Sequence, residues 1–405
     1  MPTTPTAQLP VLLVFSHLRW GFVHQRPQHL LSRLAGRWRV VFVEEPVHDA
    51  TGEVRLDVQA LDTALTVLTP HTPVKAPGFH DDQIAVLDGL LQDYLDTQGL
   101  HVDIAWLYTP MALPLANRVG ADCLVYDCMD ELSAFRGAPL QLRQRESALL
   151  QQAALVLTGG PSLYEARKSL HDNIHCFRSA VDAQHFAPSR LDVTSALARQ
   201  ARELQQKLPH PRVGFFGVVD ERMDLELIAT LAQARPDWAI VMVGPVVKID
   251  PATLPRADNI HWLGMQSYEL LPHLMLGWDL ALMPFALNES TRFISPTKTL
   301  EYMAGGLPVV STPIQDVVKL YTPAVVVAPS GGDFVRACED VLNEGTTARR
   351  ARQVQMAQLV ARNSWDDTAD AVHALLDEAL VSSRAARPAE ANEAVLDTVP
   401  LAARA

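Results

Sequence analysis

The stretch ISPTKTLEYMAGGLPVVST, residues 294–312, reads as one helix running into one buried strand. Thr299, Leu300, Tyr302 and Met303 give the helix an apolar face, Gly305 and Gly306 stop it, and Leu307 to Val310 has the length and apolarity of a strand in a parallel sheet. That is the unit of an α/β fold. Lys298 and Glu301 stand one turn apart at the helix start. On a surface they would make an ordinary i,i+3 ion pair worth roughly a few tenths of a kcal/mol. The other reading is a ligand site. Pro296 at the helix entrance leaves backbone amides and the positive dipole end pointing outward, where a lysine is unfavourable unless an anion such as a phosphate joins it.

The same helix-and-strand unit recurs on both sides of this stretch. Strand-length apolar runs lie at 11–15, 40–44, 104–108, 123–127 and 154–159, then again at 213–217, 238–244, 260–264, 280–285, 307–311 and 324–328. Between the two series the rhythm breaks at FRSAVDAQHFAPSR and a polar helical stretch, Ala196 to Lys207. Near-continuous apolar strands alternating with helices predict parallel sheets covered on both faces. The expected organisation is a first Rossmann-like domain over 1–188 and a second over 189–365. A helix over 366–382 is expected to cross back to the first domain, and 383–405, rich in Ala, Arg, Glu and Pro, to form a disordered tail. Two doubly wound sheets facing each other predict a central cleft at the carboxyl ends of their strands.

Composition narrows the function. A net charge of -12 over 405 residues argues against a nucleic-acid surface. The four cysteines, Cys123, Cys128, Cys176 and Cys338, have neither zinc-ligand spacing nor the density of a disulfide scaffold, and read as free, mostly buried thiols of a reducing compartment. The first ten residues lack a basic leader region, and no apolar run approaches the roughly 18 residues of a membrane span, so a cytoplasmic location is expected. Arg26, Arg33, Arg37 and Arg39 with Leu30, Leu31, Leu34 and Trp38 offer two readings. One is a basic amphipathic helix touching the inner membrane face, the other a helix packed on the sheet with a solvated basic side.

Neither a dinucleotide-binding G-x-G-x-x-G after the first strand nor a G-x-x-x-x-G-K-[ST] loop is present. Phosphate binding then falls to Ser295, Pro296, Thr297 and Lys298, and Glu301 is placed to accept both hydroxyls of a ribose.

At this point the chain resembles a family 4 type glycosyltransferase of the GT-B fold. The residues that carry the resemblance are SPTKTLEYMAGGLPVVST, GFFGVVDERMDLELI, WAIVMVGP, NIHWLGMQSYELLPHLMLGWDLALMPF, QRPQHLLSRLA, YDCMDE and SAVDAQHF. Within that group it is most similar to the teichuronic-acid-type enzymes, which carry a Pro-x-Lys before the glutamate. The family's donor motif has two glutamates, and the second, which holds the donor ribose, matches Glu301. Phe293 stands where the first would touch the transferred sugar, with Ser295 and Pro296 where a Phe-Gly pair is common. An Arg/Lys pair usually binds the diphosphate after the first strand of the donor domain. In the corresponding segment, which begins at Gly217, Arg222 is the sole cation, so Lys298 is expected to take the rest. Gly244, Pro245, Gly264 and Met265 end strands where the family's backbone holds a nucleobase, although each is also a plain turn signal.

The first domain is then expected to hold the acceptor. Trp20, Gly21, His24 and Arg26 lie in the loop after the first strand, Gly21 permitting close approach. Asp127, Asp130 and Glu131 cluster at the end of another strand, Asp127 as an acceptor ligand and Asp130 as a catalytic carboxylate or, equally, a helix cap. His24 is a further catalytic candidate or merely a loop histidine, and His17 an alternative acid/base. The resemblance implies retaining, metal-independent transfer of a sugar, most simply from a UDP-sugar, to a sugar, lipid-linked or small-molecule acceptor in polysaccharide or glycolipid assembly. Lys298 and Arg222 would stabilise the leaving diphosphate. Two rivals stay open: a nucleotide-sugar 2-epimerase using the same cleft, and a non-catalytic nucleotide-sugar-binding module.

Overall fold

The computed structural model describes residues 9–386. The first sheet contains β1 (Val11–Ser16), β2 (Arg39–Glu44), β3 (Val47–His48), β4 (Arg55–Ala60), β5 (Leu65–Thr72), β6 (Ile104–Leu107), β7 (Cys123–Cys128), β8 (Leu155–Thr158) and β9 (Ile174–Cys176). Its order is β3-β5-β2-β1-β6-β7-β8-β9, parallel except for β4, which lies antiparallel on β5. The second sheet contains β10 (Arg212–Phe216), β11 (Ala239–Val243), β12 (Ile260–Gly264), β13 (Leu280–Met283), β14 (Val309–Ser311) and β15 (Val325–Val327). Its order is β12-β11-β10-β13-β14-β15, with every pairing parallel.

Each sheet reverses its winding at its first strand, between β1 and β6 and between β10 and β13, and crevices for ligands open at such points. Both faces of the first sheet are buried. Leu12 and Val14 of β1 join one core cluster while Val11, Leu13 and Phe15 join another, which is why the strands read as unbroken apolar runs. The runs missed in the sequence have a different character. β4 is largely exposed and polar, and β5 contains Pro70, which reads as a strand breaker but is tolerated beside an edge strand.

The helix Trp365–Ala386 packs on the first domain. Val372, Leu376, Ala379 and Leu380 enter the same core cluster as Leu12, Val14 and Trp38, and His373 accepts a hydrogen bond from the Trp38 indole at 3.0 Å. Residues 383–386, assigned from sequence to a tail, continue this helix because it lies along the domain to that point; 387–405 of that assignment lie outside the described residues.

The same packing corrects the membrane-helix reading of the basic segment. Leu30, Leu31, Leu34 and Trp38 are fully buried, Arg26 is buried with them, and Arg33 and Arg37 pair with Asp366 and Asp370 at 2.5 and 2.6 Å. Its apolar face is core, Arg33 and Arg37 answer the returning helix, and Arg26 answers Asp127. Among the described residues, no helix is long and apolar enough to cross a membrane.

The two domains meet through backbone as well as side chains. The Ser162 amide donates to Asp316 Oδ1 at 3.1 Å, Ser179 Oγ to the Ser295 carbonyl at 2.7 Å, and the Arg136 amide to Glu221 at 3.2 Å. Leu376→Ala is expected to cost about 2–5 kcal/mol in chemical unfolding, as for a fully buried leucine in a sealed core. A cost under about 0.5 kcal/mol, typical of surface positions, would mean the returning helix is not part of that core.

Candidate functional site

A cavity of about 550 Å³ lies between the domains, lined by residues that follow β1, β7, β8, β10, β11, β12 and β13 and by the segment leading into the helix Lys298–Ala304. Two glycines set its floor. Gly217 and Gly244 have φ of 141° and 142°, and a Cβ on Gly244 would sit 1.8 Å from the Gly217 carbonyl oxygen. A Cβ on Gly217 would in turn lie 2.7 Å from Cε of Lys298. Only glycine lets these neighbouring parallel strand ends approach so closely and the lysine pass over them.

Lys298 and Glu301 do not form the surface ion pair that their spacing allows. Glu301 is 5 % exposed, and the two make no direct ion pair. Its carboxylate lines the cavity and accepts no hydrogen bond from the described residues. Burial raises the Glu301 pKa, and Lys298 works against that rise. Burial and the nearby Arg222 lower Lys298, while Glu301, Asp220 and Asp130 support its charge. The ammonium lies 5.6 and 5.4 Å from the ring centres of Phe215 and Phe285. A buried carboxylate and a half-buried ammonium with no direct partner are costly, and a ligand offering hydroxyls to one and an anion to the other would relieve both.

Arg222 also lines the cavity, but not as a free cation. Asp220, itself 3 % exposed, takes Nε and Nη2 in a fork with contacts of 2.7–3.1 Å, and the guanidinium carbon lies 5.3 Å from the Phe135 ring centre. Asp130 faces the same group. Burial raises its pKa, with Arg222 opposing and Asp220 adding to the rise.

On the other wall, Tyr268 is stacked between His24 and His185, with ring centres 4.1 Å away on each side. His29 meets His24 edge-on at 4.4 Å and stacks on Trp365 at 4.8 Å. The column therefore joins both domains and the returning helix. Burial lowers His24 to about 4 and holds His29 well below its ordinary value, so both rings are neutral near pH 7.

Of the residues read from sequence for the donor, Ser295, Pro296, Thr297, Lys298, Glu301, Gly217, Arg222, Gly244, Pro245 and Met265 line the cavity. Gly264 does not: its carbonyl accepts the Gly244 amide at 2.8 Å, behind the wall. Trp20, Gly21, His24, Arg26 and Asp130 also line it. Asp127 requires correction as an acceptor ligand. It is fully buried and holds Arg26 Nε at 2.9 Å, the Arg26 Nη1 donating to the Phe177 carbonyl at 2.7 Å. His17 lies outside the lining, its Nδ1 buried without a partner. Phe293 packs against the core of the first domain, away from the cavity, under the Arg292 guanidinium at 5.1 Å.

Sequence reasoning missed Tyr268, Gln266, Glu269 and Ser179 in the lining. The strand-end rule reaches Gln266 to Glu269, which follow β12, whereas Ser179 had no signal of its own.

Residues 210–344, within the second domain, match the family model for glycosyl transferases group 1. A Bacillus subtilis (strain 168) protein provisionally named as a teichuronic acid biosynthesis glycosyltransferase is 26% identical over 259 residues, 58% of this chain and 63% of that protein. The match thus spans less than two thirds of that relative.

Among solved structures, a sucrose-phosphate synthase from Thermosynechococcus elongatus superposes with a TM-score of 0.72 at 14% identity, covering 93% of this chain and 100% of the other. A UDP-forming trehalose-phosphate synthase from Burkholderia xenovorans gives 0.66 at 12%, covering 92% and 99%. An Anabaena protein, HepE, in complex with UDP and glucose gives 0.63 at 15%, covering 91% and 100%. The fold is GT-B.

Asp127→Ala should destabilise the protein by about 3–5 kcal/mol, because it leaves the Arg26 charge buried and unpaired. Unchanged unfolding with weakened acceptor binding would restore the ligand reading. For His29 the folded pKa lies below the unfolded one, so the unfolded chain binds more protons and stability falls as pH drops below about 6.5. Between pH 7 and pH 5 the native protein should lose about 2 kcal/mol more than His29→Gln, because His17 and His24 titrate in both. Parallel pH profiles in the two proteins would contradict this.

Proposed function

We propose that the protein transfers a sugar from a nucleoside diphosphate to an acceptor hydroxyl. The observation that carries this reading is Glu301, a buried, unpaired carboxylate in the interdomain cavity, with the Lys298 ammonium beside it. The ribose diol would donate to Glu301, and the diphosphate would lie against Lys298, the amides of Thr297 and Lys298, and the Gly217 strand end. Those two amides donate to no protein backbone acceptor in the described structure.

As the glycosidic bond to phosphate breaks, negative charge grows on the leaving diphosphate, and Lys298 compensates it within the cavity. Arg222 contributes less than a free cation because Asp220 neutralises it. Retention at the anomeric carbon, independence of metal and a place in polysaccharide or glycolipid synthesis belong to the same proposal and rest on the resemblance. A UDP-sugar is the proposed donor. It is supported by analogy with the Anabaena protein in complex with UDP and glucose.

A second reading, a module that binds a nucleotide sugar without turnover, is favoured by Phe293. That ring is committed to the first domain's core, leaving no carboxylate at its position for the transferred sugar.

Calorimetric titration with UDP, GDP, dTDP and ADP, each with and without chelator, tests the proposal. One diphosphate, expected to be UDP, should bind and survive chelation. Glu301→Gln should weaken it roughly tenfold or more. Lys298→Ala should lower kcat on the order of a hundredfold, read as diphosphate release with acceptor present. Unchanged binding and turnover in both variants would overturn the site, and binding without turnover in the native protein would favour the module.

A further inference from the structure

At the edge of the cavity, a second group of side chains gathers across the same cleft, sharing Asp130 with the lining. Lys248, in the loop after β11, has φ of 63°, the single positive value for a non-glycine among the described residues. Its backbone position is fixed: Val246 bridges to Val219, and the Val247 amide donates to the Val219 carbonyl at 3.0 Å. Its ammonium lies 4.6 Å from the Phe135 ring centre, and Phe135 belongs to the first domain. The charge also acts on His17, Glu45 and Asp130. These three follow the carboxyl ends of β1, β2 and β7 within two residues.

An exposed lysine is ordinarily a solvated surface charge. Three features set this one apart: the left-handed backbone, the ring of the opposite domain beneath it, and the three polar groups of that domain it faces. Yet it makes no ion pair and no hydrogen bond among the described residues. Arg222 on the same ring is neutralised by Asp220, and Lys298 stands within the donor cavity. Lys248 is thus, among the described residues, a cation on this ring that no carboxylate neutralises. Its neighbours suit an anion better than their formal charges suggest. His17 is neutral near pH 7, with Nδ1 unpartnered, and burial raises Glu45 to about 7.

We propose that Lys248, with Phe135 as its platform, forms an acceptor subsite for an anionic group, a phosphate or a carboxylate carried by the acceptor. This rests on the transfer reading and names the acceptor's chemical class. The anion anchors the acceptor at the ends of β1 and β2 while its hydroxyl reaches the cavity.

The test uses the full chain loaded with the nucleoside diphosphate it binds, titrated with inorganic phosphate, glucuronate and glucose. Lys248→Asn removes the charge, and asparagine tolerates the left-handed backbone. Phosphate or glucuronate should bind the native protein and weaken roughly ten- to a hundredfold in the variant. Glucose binding and nucleotide affinity should not change, and Lys248→Arg should restore most of the anion binding. The phosphate and glucuronate arms tell the two anions apart. Equal anion binding by both proteins, or none by the native one, overturns the subsite, and so does a loss of nucleotide affinity in Lys248→Asn, which would assign the ammonium to the donor phosphates. Failure of the native protein to bind any nucleotide overturns the transfer reading as well, and is seen before any anion is added.

Discussion

The Gly217 carbonyl oxygen occupies the space where a side chain at position 244 would have to begin. This steric constraint organises the second half of the cleft. Because two parallel strand ends can approach without Cβ atoms, the β10 turn leaves room for Lys298 to lie across it. Because Lys298 lies there, its ammonium is removed from water and lowered in pKa, beside a carboxylate that is raised for the same reason. Burial thus prepares two groups with opposite needs in one cavity, and the glycines are the cause.

The first domain contributes a different kind of order. Its polar groups are largely spent on structure: Asp127 on Arg26, Glu44 on the Trp20 amide and Arg19, and Glu146 on Arg167 and Tyr126. The loop 20–26 is therefore a shaped wall whose charge is accounted for internally. That leaves recognition on this side to aromatic faces, neutral histidines and the few groups without partners.

The architecture was legible in the sequence because parallel strands buried on both faces cannot hide. Every apolar run from Val11 to Thr158 that was read as a strand overlaps one, and all six runs of the second half do so. β4, β5 and β9 were not legible, since an exposed edge strand, a strand containing Pro70 and a short strand with one buried residue carry no apolar run to read. Lys298 and Glu301 stood out because their spacing posed an electrostatic question, and the cavity places both in its lining. Asp127 misled for the converse reason. A carboxylate at a strand end looks the same in sequence whether it faces a cleft or a buried arginine 101 positions away. Phe293 shows the same limit, its direction being decided by a core in the other domain.

The chain passes between the domains twice, once before the helix Ala196–Gln205 and once before the helix Trp365–Ala386. The two crossings touch: the Val181 amide donates to the Asn363 carbonyl at 2.9 Å, and Arg178 Nε donates to Asn363 Oδ1 at 2.7 Å. A single tether would let one body swing and twist about the other in three rotational freedoms. Two tethers bound to each other behave like the knuckles of one hinge, leaving a rotation about a single line through residues 178–181 and 363. Any motion that widens the mouth of the cleft must then leave the groups nearest that line almost stationary, so the geometry is most constant at the hinge and most variable at the rim.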